Sequence, residues 1–171
     1  MVSRKWFMKF NSTEPVKLVP YNSKILVIVN EFTKLLRKTI GNNVTIEHRG
    51  ATALGISGVG EVDLYIMVSP KKWKKILPKL EKKFGKPGSL DHEWARFNQV
   101  YKNIEFEIML VHENCKDNTE NQKFFNHLKS NKKDLEKYEQ LKVKYSKFSE
   151  REYYIQKDKF IKRIMKIYDT K

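Results

Sequence analysis

Residues 49–68 read RGATALGISGVGEVDLYIMV and constrain this chain more than any other stretch. Gly50-Ala51-Thr52 is a small-residue turn, and nine residues separate Ala51 from Glu61-Val62-Asp63, which opens an alternating apolar run. Val62, Leu64, Ile66 and Val68 alternate with Asp63, Tyr65 and Met67, which predicts a strand with one core face and one face carrying the acid. A glycine-rich turn lets backbone N–H groups approach a polyphosphate, and carboxylates at i and i+2 share a strand face where they can hold a divalent cation. Turn and acids in this order point to phosphate chemistry.

The flanking residues supply the rest of a fold. Val44–His48 reads as a short strand leading into the Gly50 turn. Upstream, Ile25, Leu26, Val29, Phe32, Leu35, Leu36 and Ile40 recur at helical spacing, with Ser23 as N-cap and Gly41 as stop. Downstream, Ser69-Pro70 starts a second helix whose stripe is Trp73, Ile76, Leu77, Leu80 and Phe84, closed by Gly85, and Pro78 predicts a kink or break. Trp94–Tyr101 and Ile104–Val111 read as strands joined by a two-residue connection, Lys102-Asn103, and Glu105 and Glu107 share a face of the second. From about Thr119 the pattern is helical, with stripes that include Phe124, Leu128, Tyr138, Tyr153 and Phe160. The class is α+β: a small mixed β-sheet flanked by helices, with a C-terminal helical segment. A single domain over residues 1–171 is expected, with a sheet-containing core at about 16–115 and the C-terminal helices at about 119–168.

Composition narrows the partners. The net charge of +15 favours polyanions, and between Pro70 and Lys86 eight lysines face the single acid Glu81. Cys115 is the only cysteine, which excludes an intrachain disulfide and a zinc-type cluster and makes the cytoplasm the expected compartment. The opening MVSRKWFMKF lacks the apolar core of a signal peptide, and no stretch reaches the roughly 20 apolar residues of a membrane span, so no membrane partner is expected.

The candidate chemistry is metal-assisted phosphoryl or nucleotidyl transfer. Glu61 and Asp63 are the expected metal ligands, joined by Glu107 or Glu105 as a third acid that also favours deprotonation of a nucleophile, with Mg²⁺ or Mn²⁺ as the cofactor. Gly50, Ala51 and Thr52, helped by Arg49 or Ser57, are expected to cradle the phosphates of a nucleoside triphosphate. His48 is placed either to orient the turn or to touch substrate, while Arg96, Lys142 and Lys157 are further candidates for phosphate contact. Each acid pair, taken singly, is also what the solvent side of a strand shows. Their order and spacing carry the functional reading.

That order resembles the DNA polymerase beta-like nucleotidyltransferase superfamily, over Gly50 to Asp63. A resemblance spanning most of the chain is to the GrpB family. Lys17-Leu18-Val19-Pro20-Tyr21 is similar to its N-terminal entry, and Ile46-Glu47-His48-Arg49-Gly50-Ala51-Thr52-Ala53 to its Ile-Glu-His-x-Gly-Ser-Thr-Ala signature. Phe124–Leu128, Tyr138-x-x-Leu141-Lys142 and Tyr153-x-x-x-Lys157-x-x-Phe160-Ile161 resemble its helical tail. Where family members often carry Asp-x-Asp, this chain has Asp63-Leu64-Tyr65. The resemblance implies a nucleotidyltransferase-like domain that binds NTP and a divalent metal and transfers a nucleotidyl group to a hydroxyl. With Tyr65 in the place of an acid, the alternative is a catalytically inactive nucleotide- or RNA-binding module, RNA or another polyanion then being the partner. A third reading is an interaction protein whose C-terminal helices pack on a partner.

Overall fold

The computed structural model describes residues 4–169; the ends of the expected 1–171 domain, including the first residues of MVSRKWFMKF, lie outside the described residues. In chain order the helices are α1 (Arg4–Phe7), α2 (Ile25–Ile40), α3 (Gly50–Leu54), α4 (Pro70–Phe84), α5 (Lys116–Ser130), α6 (Lys132–Tyr145) and α7 (Glu150–Asp169). The strands are β1 (Thr45–Arg49), β2 (Glu61–Val68), β3 (Ser89–Leu90), β4 (Trp94–Tyr101) and β5 (Ile104–His112). The architecture is α+β, and the chain divides into two compact units: residues 22–55 with 60–119, and, within the described residues, 4–21, 56–59 and 120–169.

The first unit is built on a five-stranded sheet of order β1-β2-β5-β4-β3. β2 and β5 run parallel, and every other neighbouring pair is antiparallel. Parallel neighbours need a long crossover, and α4 with the β3–β4 ribbon supplies it. The alternation in β2 is realised residue by residue: Val62, Leu64, Ile66 and Val68 are buried, and Glu61, Asp63, Tyr65 and Met67 stand on the other face. Phe106, Ile108 and Leu110 of β5 extend the buried face, which is covered by Val29, Phe32 and Leu36 of α2 and Ile76 and Leu80 of α4. Phe32 stacks on Phe106 with ring centroids 4.2 Å apart.

Local chemistry departs from the sequence expectations in a few places. α2 is not capped by Ser23. The Ile25 and Leu26 amides donate to the carbonyls of Asn22 and Ser23, so a tight lead-in turn runs into the helix with Lys24 at the cap position. β1 reaches Arg49 because Arg49 pairs with Asp63. α4 continues through Pro78 without a break. The carbonyl four residues earlier, which loses its amide donor, belongs to exposed Lys74 and so is not sealed in the core. The connection Lys102-Asn103 forms as read, with φ of 50° and 61°, the left-handed pair of a primed hairpin turn. β3, unanticipated in the turn-rich 86–91, is a two-residue edge paired with Ala95 and Arg96.

The second unit is largely helical. Phe124, Tyr138 and Phe160 meet edge-on or tilted at 5.3–6.5 Å, joining α5, α6 and α7. Phe10 stacks on Tyr154 at 4.1 Å, and the Val19 and Gly58 backbones exchange hydrogen bonds of 2.7 and 3.1 Å.

The stacked Phe32 generates a stability prediction. Phe32→Ala should lower unfolding free energy by about 3–5 kcal/mol through lost burial and a residual cavity. Val27→Ala on the exposed side of the same helix should change it by less than about 0.5 kcal/mol. Urea unfolding of both variants measures the contrast.

Candidate functional site

On the face of the sheet opposite α2 and α4, side chains line up in rows across the strands. Arg49, Asp63, Glu107 and Asn98 share one row. Glu61, Glu105 and Val100 form the next row toward the start of β2. On the other side lie Glu47, Tyr65, Met109 and Arg96. The parallel register of β2 and β5 thus makes Asp63 and Glu107 direct neighbours, and Glu61 and Glu105 a second pair. Among the described residues, no group of three or more His, Cys, Asp or Glu side chains is arranged to hold a metal ion. The acids are organised as two neighbouring pairs.

Gly50 begins α3 with φ of +74°, a left-handed conformation that favours glycine. The missing side chain also makes room for the acid. A Cβ built on Gly50 would lie 1.7 Å from Asp63 Oδ2 and 2.7 Å from its Cγ, so the carboxylate rests directly on the glycine. Thr52 is buried, and its hydroxyl is 2.8 Å from His48 Nε2. That bond ties the strand before the turn to the helix after it. Burial pulls the pKa of His48 down from 6.5 to about 4, so at neutral pH the imidazole is uncharged.

Arg49 is almost fully buried, at 1% exposure. Its Nε donates to Glu47 Oε2 at 2.9 Å, Nη1 to Asn118 Oδ1 at 2.9 Å, and Nη2 lies 2.8 Å from the same Glu47 oxygen. The guanidinium carbon sits 4.3 Å from the centroid of the Tyr65 ring. A buried cation requires such partners, because an uncompensated charge in a dry site costs several kcal/mol. The Tyr65 hydroxyl is held above its ordinary pKa by burial first, then by Asp63 and Glu107, against the opposing effect of Arg49. It therefore stays a neutral phenol beside the acids.

The remaining candidates separate. Arg96 Nη1 is 3.5 Å from Glu107 Oε2, and Nη2 donates to Ser89 at 3.2 Å. Ser57 belongs to the helical unit, where its amide and hydroxyl donate to Glu139 Oε1 at 2.9 and 3.1 Å and its carbonyl accepts from the buried Lys142 ammonium. Lys157 lies over the rings of Tyr153 and Tyr154 at 5.3 and 4.9 Å. Glu47 and Asn118 were missed by the sequence reading. Glu47 was accessible to it, standing two residues before Arg49 on the same strand face; Asn118, 69 residues away, left no local signal.

Two predictions follow from this geometry. Gly50→Ala should cost about 2 kcal/mol or more, from the left-handed backbone and the displaced carboxylate. Combined with Asp63→Ala it should cost less than the sum of the two, which a double-mutant cycle in urea measures. For His48 the unfolded chain binds a proton near pH 6.5 and the native state only near pH 4. Stability from this group is complete above pH 6.5 and declines as the pH falls toward 4. His48→Gln should flatten the decline in that window relative to the parent chain.

The sequence matches the GrpB protein family over residues 15–167. No curated protein matches it. Among solved structures, the crystal structure of conserved protein GrpB from Enterococcus faecalis is similar, with a TM-score of 0.70 at 17% identity, covering 88% of this chain and 95% of that one. At that identity the likeness speaks for the fold. The family match spans nearly the whole sequence, and the chain belongs to the GrpB family.

Proposed function

We propose that this chain binds a nucleoside triphosphate together with Mg²⁺ or Mn²⁺, as a domain of the nucleotidyltransferase type. One observation carries the reading: the Asp63 carboxylate rests on the Gly50 backbone while Glu107 stands beside it on the parallel strand. Phosphates brought to the backbone of Gly50, Ala51 and Thr52 would meet two carboxylates at once. Magnesium suits such a site, since it commonly takes one or two carboxylates together with substrate phosphates and retains water in its remaining positions. Asp63 and Glu107 would hold the ion, which when bound neutralises phosphate charge and polarises the phosphoryl group. Arg49 supports the site from beneath by fixing Glu47 and Tyr65.

Transfer to a hydroxyl acceptor, which breaks the bond between the α- and β-phosphates and releases pyrophosphate, would further require a carboxylate as the base that takes the acceptor's proton, and Glu61 and Glu105 stand in the adjoining row. Tyr65 favours a second reading, binding without transfer. It stands two residues after Asp63, where an acid is frequent in the family, and it is a neutral ring under a guanidinium.

Calorimetric titration with ATP, GTP, CTP and UTP, with and without Mg²⁺, tests the proposal. Binding should require the metal, and Asp63→Asn and Glu107→Gln should each weaken it at least tenfold, about 1.4 kcal/mol. Metal-independent binding, or binding unchanged in both variants, would refute it. Mass analysis after incubation with NTPs, metal and cell extract separates the readings: a nucleotidylated product that disappears with Glu61→Gln or Glu105→Gln supports transfer, and binding without product supports the silent module.

A further inference from the structure

We infer that the exposed lysine face of α4 binds nucleic acid through its phosphodiester backbone, at a surface separate from the nucleotide site. α4 turns Ile76 and Leu80 fully into the core, with Trp73, Leu77 and Phe84 packed beside them. What remains outside is Lys71, Lys72, Lys74, Lys75, Lys79, Lys82 and Lys83, all exposed, with Lys86 just beyond the helix end. Lys71, Lys75, Lys79 and Lys82 follow one line along the helix. At about 1.5 Å per residue that line covers roughly 16 Å, enough to face four or five phosphates at about 3.4 Å of axial spacing per strand.

The row does not have the composition of an ordinary solvated helix face, which mixes signs so that i,i+4 pairs form. Here Glu81 is the only acid of the helix, and it is half-buried. The surface also extends beyond α4. Lys72 Nζ donates to the Asn43 carbonyl at 2.6 Å and Arg37 Nη1 to the Val44 carbonyl at 3.4 Å, so the end of α2 and the start of α4 reach the same turn. Lys34 and Lys38 are exposed on that end of α2.

The chemistry of the occupant follows from what this face lacks as well as what it has. A helix that lies on a lipid surface must insert an apolar side, and α4 has committed its apolar side to the sheet. Trp73 is half-buried and edge-on to His112 at 4.8 Å, leaving no aromatic platform for stacked bases. Lysines in a line without such a platform read phosphate charge and not sequence. Because α4 covers the core face of the sheet, the surface is on the opposite side from Asp63 and Glu107.

The test is fluorescence anisotropy of the full chain with short mixed-sequence RNA and DNA, single- and double-stranded, at about 50 to 200 mM salt. One variant combines Lys71→Glu, Lys75→Glu, Lys79→Glu and Lys82→Glu. A control with the same change in net charge combines Lys129→Glu, Lys133→Glu, Lys147→Glu and Lys159→Glu, all exposed positions of the helical unit. The α4 variant should lose at least about tenfold in affinity and about three to four in the slope of log affinity against log salt, the control far less. Lys→Gln at the same four α4 positions should give the same ranking and guards against misfolding from clustered acids. Equal losses in the α4 and control variants would overturn the assignment, as would absence of binding by the parent chain to every probe. Equally tight binding to phosphatidylserine vesicles, lost in the same α4 variants, would also overturn it in favour of a lipid surface. The RNA and DNA arms identify which nucleic acid is preferred.

Discussion

The register of β2 separates two surfaces that cannot be exchanged. Val62, Leu64, Ile66 and Val68 are dry beneath α2 and α4, and Asp63 and Tyr65 point the other way. A slip of one residue against β1 or β5 would bury the acids under the helices and expose the aliphatic row. Burying even one uncompensated carboxylate costs several kcal/mol, so the register is held from both sides at once. Everything assigned to the site depends on this: the same pairing that buries Leu64 sets Asp63 beside Glu107 and opposite Arg49.

Arg49 shows how the acid face is itself partly sealed. The residue directly before the glycine turn is a buried guanidinium, satisfied by Glu47 and Asn118 and lying over Tyr65. Asn118 in turn donates to the Glu113 carbonyl at 2.7 Å, which fixes the chain between β5 and the body of α5. Arg49 therefore links three segments distant in sequence, and Tyr65 provides the flat surface on which the cation rests. An acid at position 65 would instead bring a further charge into direct contact with that guanidinium and into the row beside Asp63.

How much could be read in advance follows the range of the interactions. The alternation of β2, the Gly85 stop of α4 and the Lys102-Asn103 turn are local consequences of side-chain period and backbone freedom, and they formed as the residues suggested. The adjacency of Asp63 and Glu107 was open, because which strand lies beside β2 is decided by the crossover through α4 and by core packing. The place of Arg49 beside the turn suggests a phosphate contact; its burial is a property of Glu47, Tyr65 and Asn118 together, and only Glu47 is near in sequence. Ser57 follows the glycine turn by a few residues, yet its polar groups are taken by Glu139 and Lys142, more than 80 positions later. No local pattern encodes such a closure.

The acid rows gain meaning from the charge of the chain around them. With 35 lysines and arginines against 20 aspartates and glutamates, cations were abundant, yet the register sets Asp63 against Glu107 and Glu61 against Glu105. Like charges directly opposite in a sheet destabilise it. Arg96 lies 3.5 Å from Glu107 with both side chains partly in water, so this ion pair is a weak one. Arg49 stands opposite Asp63 in the same row and also holds Glu47. A divalent cation with its phosphates, as proposed, would add positive charge between the paired acids. The lysines of α4 lie on the other side of the packed core, so the acid rows and the basic face are separate surfaces of this unit.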